Sequence, residues 1–265
     1  MSTVILCPHQ DDEILSSFLL LSQLRDSGED VKIIFATNGD YRGKDIARKR
    51  YDESVLALSF CNVAAKDIFY MGYGDTGMRA SHSFLNRLYT SDPEQLFHSY
   101  CSGRTYHPAD LQTVHYMFHG TEIGYSRAHF VEDLNDILHA FFPAKIVIPS
   151  IYDAHYDHRA LAYFAREVTR GWDININSYL IHSGNDLQWP PRNTGGWKRP
   201  VEIPPKMWAD RIIIKNSNAS FRKAIAIRCF ESQHPEELNG FLLSFSKPEE
   251  FFFQSEIPPS FVKQS

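Results

Sequence analysis

Short apolar runs alternate along this chain with longer segments in which apolar residues recur at helical spacing. The runs Val4–Cys7, Lys32–Ala36 and Ile68–Met71 have the length and composition of buried strands. The segments Glu13–Leu24 and Asp45–Leu58, which lie between them, have the periodicity of helices. Because this alternation is typical of a mostly parallel sheet with helices on both faces, the pattern predicts a three-layer α/β/α fold.

The second half of the chain continues the alternation. We expect further helices and strands, in chain order, at Phe130–Phe142, Lys145–Pro149, Arg159–Thr169, Ser178–Ile181, Arg211–Lys215 and Phe221–Phe230. Periodicity is poor at about 79–127, which predicts an insertion with short helices that sets specificity. A long loop is expected at about 185–208, where Trp189–Trp208 is rich in Pro and Trp. A length of 265 residues fits a single domain, 1–265, with these additions.

Composition and charge narrow the choice of partner and compartment. The formal charge is −5 and Lys and Arg are not clustered, which argues against nucleic acid. No apolar run approaches the roughly 18 residues of a membrane span, and the start of the chain lacks the pattern of a signal peptide, so we expect a cytoplasmic protein. The four cysteines form no Cys-x-x-Cys pair and are expected to be reduced thiols. The sequence leaves the oligomeric state open.

Two clusters of histidines and carboxylates each follow an apolar run. Pro8–Glu13 follows the first predicted strand, and Asp153–His158 follows the strand Lys145–Pro149. In a doubly wound, Rossmann-like sheet the first strand lies between the second and the fourth, and ligands bind in the crevice at their carboxyl ends. We therefore expect the two clusters to face each other across that crevice.

The clusters contain a plausible set of metal ligands. His9, Asp12 and His158 are two histidines and one carboxylate, which leave a coordination position for water, as catalytic zinc sites do. The same donors suit other divalent metals such as Fe2+ or manganese, so Zn2+ is the favoured ion and not the sole candidate. Helix N-termini attract carboxylates through the helix dipole, so Asp11 and Asp12 each have an alternative role at the start of the helix.

The clusters resemble the Pro-His-Pro-Asp-Asp-Glu and His-x-Asp-His signatures of the LmbE-like or PIG-L family of zinc N-deacetylases. Weaker similarities, which follow the family's order, are Thr37-Asn38-Gly39, Arg50 with Glu53, Met71-Gly72-Tyr73-Gly74-Asp75 and Glu231-Ser232-Gln233. The chain departs from the family at Gln10, which replaces the usual proline, and at Ser59, where a glycine is common. The stretch 79–127 and most of Asn185–Trp208 do not align with the family.

The resemblance implies a hydrolase that removes an N-acetyl group from an N-acetylglucosamine-type sugar or its conjugate. In that reading His9, Asp12 and His158 hold the metal, and Asp11 is the general base for attack by a metal-activated water. The alternative substrates are another small amide or a thiol conjugate, cut on the same metal site. The sequence does not choose among the pathways that use such substrates.

The resemblance also implies roles for four further residues. His155 would stabilise the oxyanion, as a cation, or protonate the leaving amine, and Asp157 would orient His155. Arg50 and Asp75 would line the substrate pocket and bind sugar hydroxyls. The alternatives are a surface arginine on a helix and an aspartate in a turn.

Other signals favour different functions. Gly72–Gly77 fits Gly-x-Gly-x-x-Gly after a strand, which would suit an NAD-binding oxidoreductase, although no clear helix follows. His115 and His119 have the spacing of a helical ligand pair, but the sequence suggests no third ligand, and a packed pair is the simpler interpretation. Tyr73 and Trp197 are candidates to stack on a sugar ring, with core or lid packing as the alternative. A metal-binding module without catalysis is the remaining possibility.

Overall fold

The computed structural model describes residues 2–184, 189–192, 196–233, 239–254 and 256. Five parallel strands form the central sheet in the order β3-β2-β1-β4-β5. These strands are β1 (Ser2–Cys7), β2 (Asp30–Thr37), β3 (Ile68–Tyr73), β4 (Lys145–Pro149) and β5 (Asn175–Tyr179). The predicted Rossmann-like α/β fold is confirmed, and β1 lies between β2 and β4 as expected.

Helices cover both faces of this sheet. They are α1 (Asp12–Asp26), α2 (Lys44–Ser59), α3 (Phe84–Thr90), α4 (Val114–His119), α5 (Arg127–Phe141), α6 (Tyr156–Val168), α7 (Pro205–Ala209), α8 (Ser217–Arg228) and α9 (Asn239–Leu243). Helices α1, α2 and α8 pack on one face, and α3, α5 and α6 pack on the other. The segment 79–127, predicted to be an insertion, contains the short helices α3 and α4.

The strands read as continuous apolar runs because both of their faces are buried. In β1, Ile5 and Cys7 belong to the apolar core on one side of the sheet, and Val4 and Leu6 belong to the core on the other side. Successive side chains of a strand point to opposite faces, so one run supplies both cores. Packing on both faces therefore fixes the strand that leads to the carboxyl edge of the sheet.

Several elements differ from the prediction in their bounds, and one was not predicted. Strand β5 begins at Asn175 and not at Ser178, because the polar residues of its first half are paired with β4 and hide the strand pattern. Helix α8 begins at Ser217, four residues before the predicted start, where the side chain of Asn216 caps it. The sequence reading missed β7 (Glu249–Phe252), which pairs antiparallel with β6 (Ile212–Lys215) in a separate two-stranded sheet.

The predicted loop at about 185–208 lies only in part among the described residues. Residues 185–188 and 193–195 lie outside the described residues, and the described part of 185–208 includes the start of α7. All four cysteines are free thiols, as expected. Among the described helices, none combines the length and the hydropathy that a bilayer span requires.

A buried ion pair ties β7 and α8 to α1. The Glu250 carboxylate accepts hydrogen bonds from the backbone N–H groups of Leu19 at 2.9 Å and Leu20 at 3.1 Å. Lys223 Nζ lies 2.7 Å from Glu250 Oε1 and donates to the Leu15 carbonyl at 2.8 Å. In a regular helix the carbonyl of residue 15 accepts a hydrogen bond from the N–H of residue 19. Lys223 and Glu250 therefore bind a carbonyl and an N–H group of the same turn of α1.

Replacement of Lys223 tests this anchor. Lys223→Met leaves the Glu250 carboxylate buried without its cation, and we expect the free energy of unfolding to fall by about 3–5 kcal/mol. Lys215→Met is the matched control, because it breaks an exposed pair with Glu249 in the neighbouring strands, with Nζ 3.7 Å from the carboxylate. The control should change stability by less than about 1 kcal/mol. An equal loss of stability in Lys223→Met and Lys215→Met, measured by urea denaturation, would contradict this role of the buried ion pair.

Candidate metal centre and active site

The two histidine and carboxylate clusters meet at the carboxyl edge of the sheet. Strand β1 ends at Cys7 and α1 begins at Asp12, while β4 ends at Pro149 and α6 begins at Tyr156. Since β1 and β4 pair in parallel, the loops that follow them leave the sheet side by side. The predicted convergence of distant residues is therefore present, and His9 contacts residues of the second cluster directly.

The three predicted ligands surround one point. Asp12 Oδ2 lies 3.5 Å from His9 Nδ1 and 3.4 Å from His158 Nε2. One ligand atom from each of the three residues lies within 4.8 Å of the others. Tetrahedral zinc, with bonds of about 2.0–2.2 Å, spaces neighbouring ligand atoms by roughly 3.4 Å. His158 Nε2 is buried and has no hydrogen-bond partner among the described residues, which leaves it available to an ion. These residues fit a divalent metal.

Each of the two histidines is backed by a second carboxylate. Asp157 Oδ2 lies 3.2 Å from His9 Nε2, and Asp153 Oδ2 lies 3.2 Å from His158 Nδ1. In both rings the nitrogen that faces Asp12 is therefore the one opposite the supporting carboxylate. Protein metal sites use such partners to fix the orientation of a histidine ligand and to raise its basicity.

The sequence reading gave Asp153 no role, although it begins the second cluster. Its carboxylate accepts backbone N–H groups from His155 at 2.8 Å, Ile181 at 2.9 Å and His182 at 3.1 Å. Burial opposes the charge of Asp153, but the nearby His158 and these hydrogen bonds hold its pKa at about 2. His182 is a further histidine that the sequence did not single out, and its ring lies 5.2 Å from that of His158. No strand-end motif marks it, because it lies on an irregular segment after β5.

The cluster is poised to hold positive charge. Burial lowers the pKa of His9, but the carboxylates of Asp75, Asp12 and Asp157 raise it well above its usual value. Burial likewise opposes a charged His158, whereas Asp12 and Asp153 raise its pKa. The two imidazoles in turn lower the pKa of Asp12 against the effect of burial. A divalent cation would neutralise the negative charge of the same carboxylates.

The position of Asp157 differs from the expectation. Its carboxylate does not orient His155, because it contacts His9 and accepts hydrogen bonds from the Ser83 hydroxyl and from the Leu85 N–H at 2.9 Å. The backbone N–H of Asp157 instead donates to His155 Nδ1 at 3.2 Å. Burial, together with the nearby positive charge of His9, lowers the pKa of His155 well below its usual value. These surroundings favour the neutral imidazole of His155 over the cation.

Asp11 stands at the N-terminus of α1 but does not cap it with its side chain. Its backbone φ is 120°, a strained conformation for a residue with a side chain, and its N–H donates to Glu13 Oε2 at 2.8 Å. Burial and the neighbouring Asp12 raise the pKa of Asp11 to about 7, against the opposing influence of Arg50. The carboxylate lines the cleft described below. The helix-cap alternative therefore lacks the hydrogen bond that it requires.

Arg50 and Asp75 lie beside these residues. Arg50 is buried, which excludes the surface position that a helix arginine usually has, and its Nη2 donates to the Gln10 carbonyl at 2.8 Å. Arg50 also lies 3.8 Å from Asp75 and 3.9 Å from Asp11. Gln10 Nε2 donates to the Thr37 carbonyl at 3.2 Å, so hydrogen bonds hold the loop where the family usually has proline.

The other sequence candidates lie apart from the cluster. Tyr73 is fully buried and donates to Asp133 at 2.9 Å, and Trp197 donates to the Glu249 carbonyl at 3.0 Å, so both have packing roles. The Gly72–Gly77 segment is followed by a loop, and α3 begins only at Phe84. It therefore lacks the helix that a dinucleotide fingerprint requires.

A cleft of about 1080 Å³ opens above the cluster. It is lined by His9, Asp11 and Asp12 of the cluster and by residues 78–81. Trp189 and Phe241 also line it. A cleft of this size admits a sugar-sized ligand or a larger conjugate.

Comparison with known proteins identifies the family. The model of the PIG-L family, described as GlcNAc-PI de-N-acetylase, matches residues 4–169, which is more than half of the chain. The chain belongs to the PIG-L family. The matched region contains both clusters and the insertion. A comparison with curated protein sequences gives no match.

Solved structures of similar fold include several deacetylases. The zinc-inhibited form of teicoplanin deacetylase is 14% identical with a TM-score of 0.58, over 96% of this chain and 97% of that one. The N,N'-diacetylchitobiose deacetylase of Pyrococcus horikoshii is 17% identical with a TM-score of 0.54, over 91% and 75%. A 4-carboxy-2-hydroxymuconate hydratase of Pseudomonas putida is 12% identical with a TM-score of 0.53, over 92% and 82%. At these sequence identities the similarity to the three structures shows a shared fold and nothing more.

Removing the support behind His158 tests the metal centre. Asp153→Asn takes away the charge that orients and polarises the imidazole, so we expect Zn2+ affinity to fall about 10–100-fold. Competition with a chromophoric chelator measures the affinity, and thermal unfolding verifies that the variant is folded. The exposed Asp173→Asn is the control and should bind Zn2+ like the parent. Unchanged affinity in a folded Asp153→Asn variant would remove Asp153 from the metal centre.

Proposed function

We propose that this chain is a metal-dependent amide hydrolase that removes the N-acetyl group from an N-acetylglucosamine-type sugar or its conjugate, with Zn2+ as the ion. The observation that carries the proposal is Asp11, a carboxylate that caps no helix and lies in a cleft beside the two-histidine, one-carboxylate cluster. Membership of the PIG-L family supports amide hydrolysis as the reaction class.

We assign the metal to His9, Asp12 and His158, each of which presents one donor atom to a common point. When bound there, a divalent ion lowers the pKa of water and polarises the amide carbonyl. The choice of Zn2+ rests on the donor set and on the ligand spacing of about 3.4 Å. The zinc-inhibited form of a teicoplanin deacetylase indicates that a protein of this fold binds zinc.

Asp11 is the general base of the proposed reaction. Its carboxylate accepts a proton from the attacking water as the new C–O bond forms at the amide carbon. When the C–N bond breaks, the same carboxyl group returns this proton to the leaving nitrogen, and the products are acetate and a free amine. The raised pKa of Asp11, about 7, suits a group that both takes and gives a proton near neutral pH.

His155 stabilises the negative charge that develops on the carbonyl oxygen. Because its Nδ1 accepts the backbone N–H of Asp157, the neutral ring carries its proton on Nε2. That N–H is a donor fixed before the reaction begins, which is the arrangement that lowers the energy of an oxyanion most effectively. Between the two roles that the sequence leaves open for His155, this geometry favours the oxyanion.

Arg50 and Asp75 are placed to bind the sugar. Arg50 is anchored by the Gln10 carbonyl, and the Asp75 backbone N–H is held by Asp40 at 2.7 Å. Both side chains line the cleft next to Asp11. Charged groups fixed in this way give strong hydrogen bonds to hydroxyl groups.

The family and the names of similar folds support the substrate class. Two of these deacetylases are named after teicoplanin and N,N'-diacetylchitobiose. Both names support an acetylated sugar or conjugate as the substrate of this chain. The hydratase neighbour has the same fold, so the fold by itself does not select the reaction.

Substitution of Asp11 tests the base. Asp11→Asn keeps the shape of the side chain but accepts no proton, so we expect kcat to fall about 10²–10⁴-fold while the bound metal per chain is unchanged. Asp26→Asn, at the other end of α1, is the matched control and should keep the parent rate. Near-parental turnover in Asp11→Asn would exclude Asp11 as the base.

A substrate panel tests the reaction itself. We expect release of free amine from one or more N-acetylated amino sugars or their conjugates, loss of this release after chelator treatment, and its return with added Zn2+. Release from simple amides or thiol conjugates alone would favour the alternative substrates. Amine release that resists metal removal would contradict the proposed chemistry.

A further inference from the structure

A second group of two histidines and a carboxylate lies outside the cleft, between α4 and α5. His115 and His119 are one helical turn apart on α4, and their ring centroids are 4.3 Å apart. Asp133 of α5 faces them, and one ligand atom from each of the three residues lies within 4.8 Å of the others. The sequence contained the histidine pair, and the packing of α4 on α5 supplies the third donor that the sequence did not reveal.

We propose that His115, His119 and Asp133 form a second divalent metal site, distinct from the catalytic cluster. Two histidines four residues apart on a helix are a recurrent zinc-binding arrangement, and a carboxylate completes a three-donor set that leaves a position for water. A borderline ion such as Zn2+ matches two imidazoles and one carboxylate better than Mg2+ or Ca2+ does.

Hydrogen bonds already orient the donors. Asp133 Oδ1 lies 2.6 Å from His115 Nδ1, and Asp133 Oδ2 accepts the Tyr73 hydroxyl at 2.9 Å. His119 Nε2 lies 2.9 Å from Asp136 Oδ2, which leaves Nδ1 of that ring for an ion. Asp136 thus has the supporting position that carboxylates occupy behind histidine ligands.

The exposure of the donors also suits a cation. His115 and Asp133 are buried, whereas His119 is exposed and gives an ion access from solvent. The group therefore combines two donors fixed in the interior with one donor at the surface.

The exposed histidine allows a test that does not disturb the core. Chelator-stripped protein is dialysed against Zn2+, and we expect the parent to bind one more ion per chain than His119→Ala does. His139→Ala is the matched control on α5, an exposed histidine whose Nδ1 contacts the Asn135 carbonyl at 2.9 Å, and it should keep the parental number of ions. Asp136→Asn should weaken binding of the second ion about 10–100-fold.

This test is independent of the proposed function, because it measures the difference in bound Zn2+ per chain between the parent and His119→Ala. Amide hydrolysis should be unchanged in His119→Ala, so failure of the second site and failure of the catalytic proposal are separate results. Equal Zn2+ content in the parent and in His119→Ala would overturn the second site. Equal loss of an ion in His119→Ala and His139→Ala would overturn it as well.

Discussion

The parallel pairing of β1 with β4 is the constraint on which the catalytic cluster depends. In this pairing Thr3 lies opposite Lys145 and Ile5 lies opposite Val147, so both strands end at the same edge of the sheet. The backbone hydrogen bonds of the sheet thereby bring together two loops that are far apart in the sequence. A slip of one residue in the register would reverse the faces of every β4 side chain and would displace His158 from Asp12.

Carboxylates that point away from solvent hold the cluster together. Asp153 and Asp157 each stand behind one histidine, and their remaining oxygens are occupied by backbone N–H groups. One of these N–H groups, from Leu85, belongs to the segment 79–127, whose first residues line the cleft. This segment therefore has two effects: it lines the cleft and holds the carboxylate behind His9. Substitutions in this segment would also affect the orientation of His9.

Much of the fold, and the convergence of the two clusters, could be predicted because both follow from local patterns. The apolar runs were visible since the strands are buried on both faces, and each cluster follows the end of a strand. The partner of Asp157 could not be predicted, because it depends on how α3 packs against the second cluster. Strand β7 was missed because its Glu250 is buried through a long-range ion pair with Lys223, which no local pattern reveals.

The proposed chemistry requires one ion held by His9 Nδ1, Asp12 Oδ2 and His158 Nε2. A crystal structure of the zinc-loaded protein, with anomalous diffraction recorded at the zinc absorption edge, tests this most directly. We expect an anomalous peak about 2.0–2.2 Å from each of these three atoms. A peak bound instead by His155 and Asp157, which with His9 form an overlapping group of donors, would contradict it.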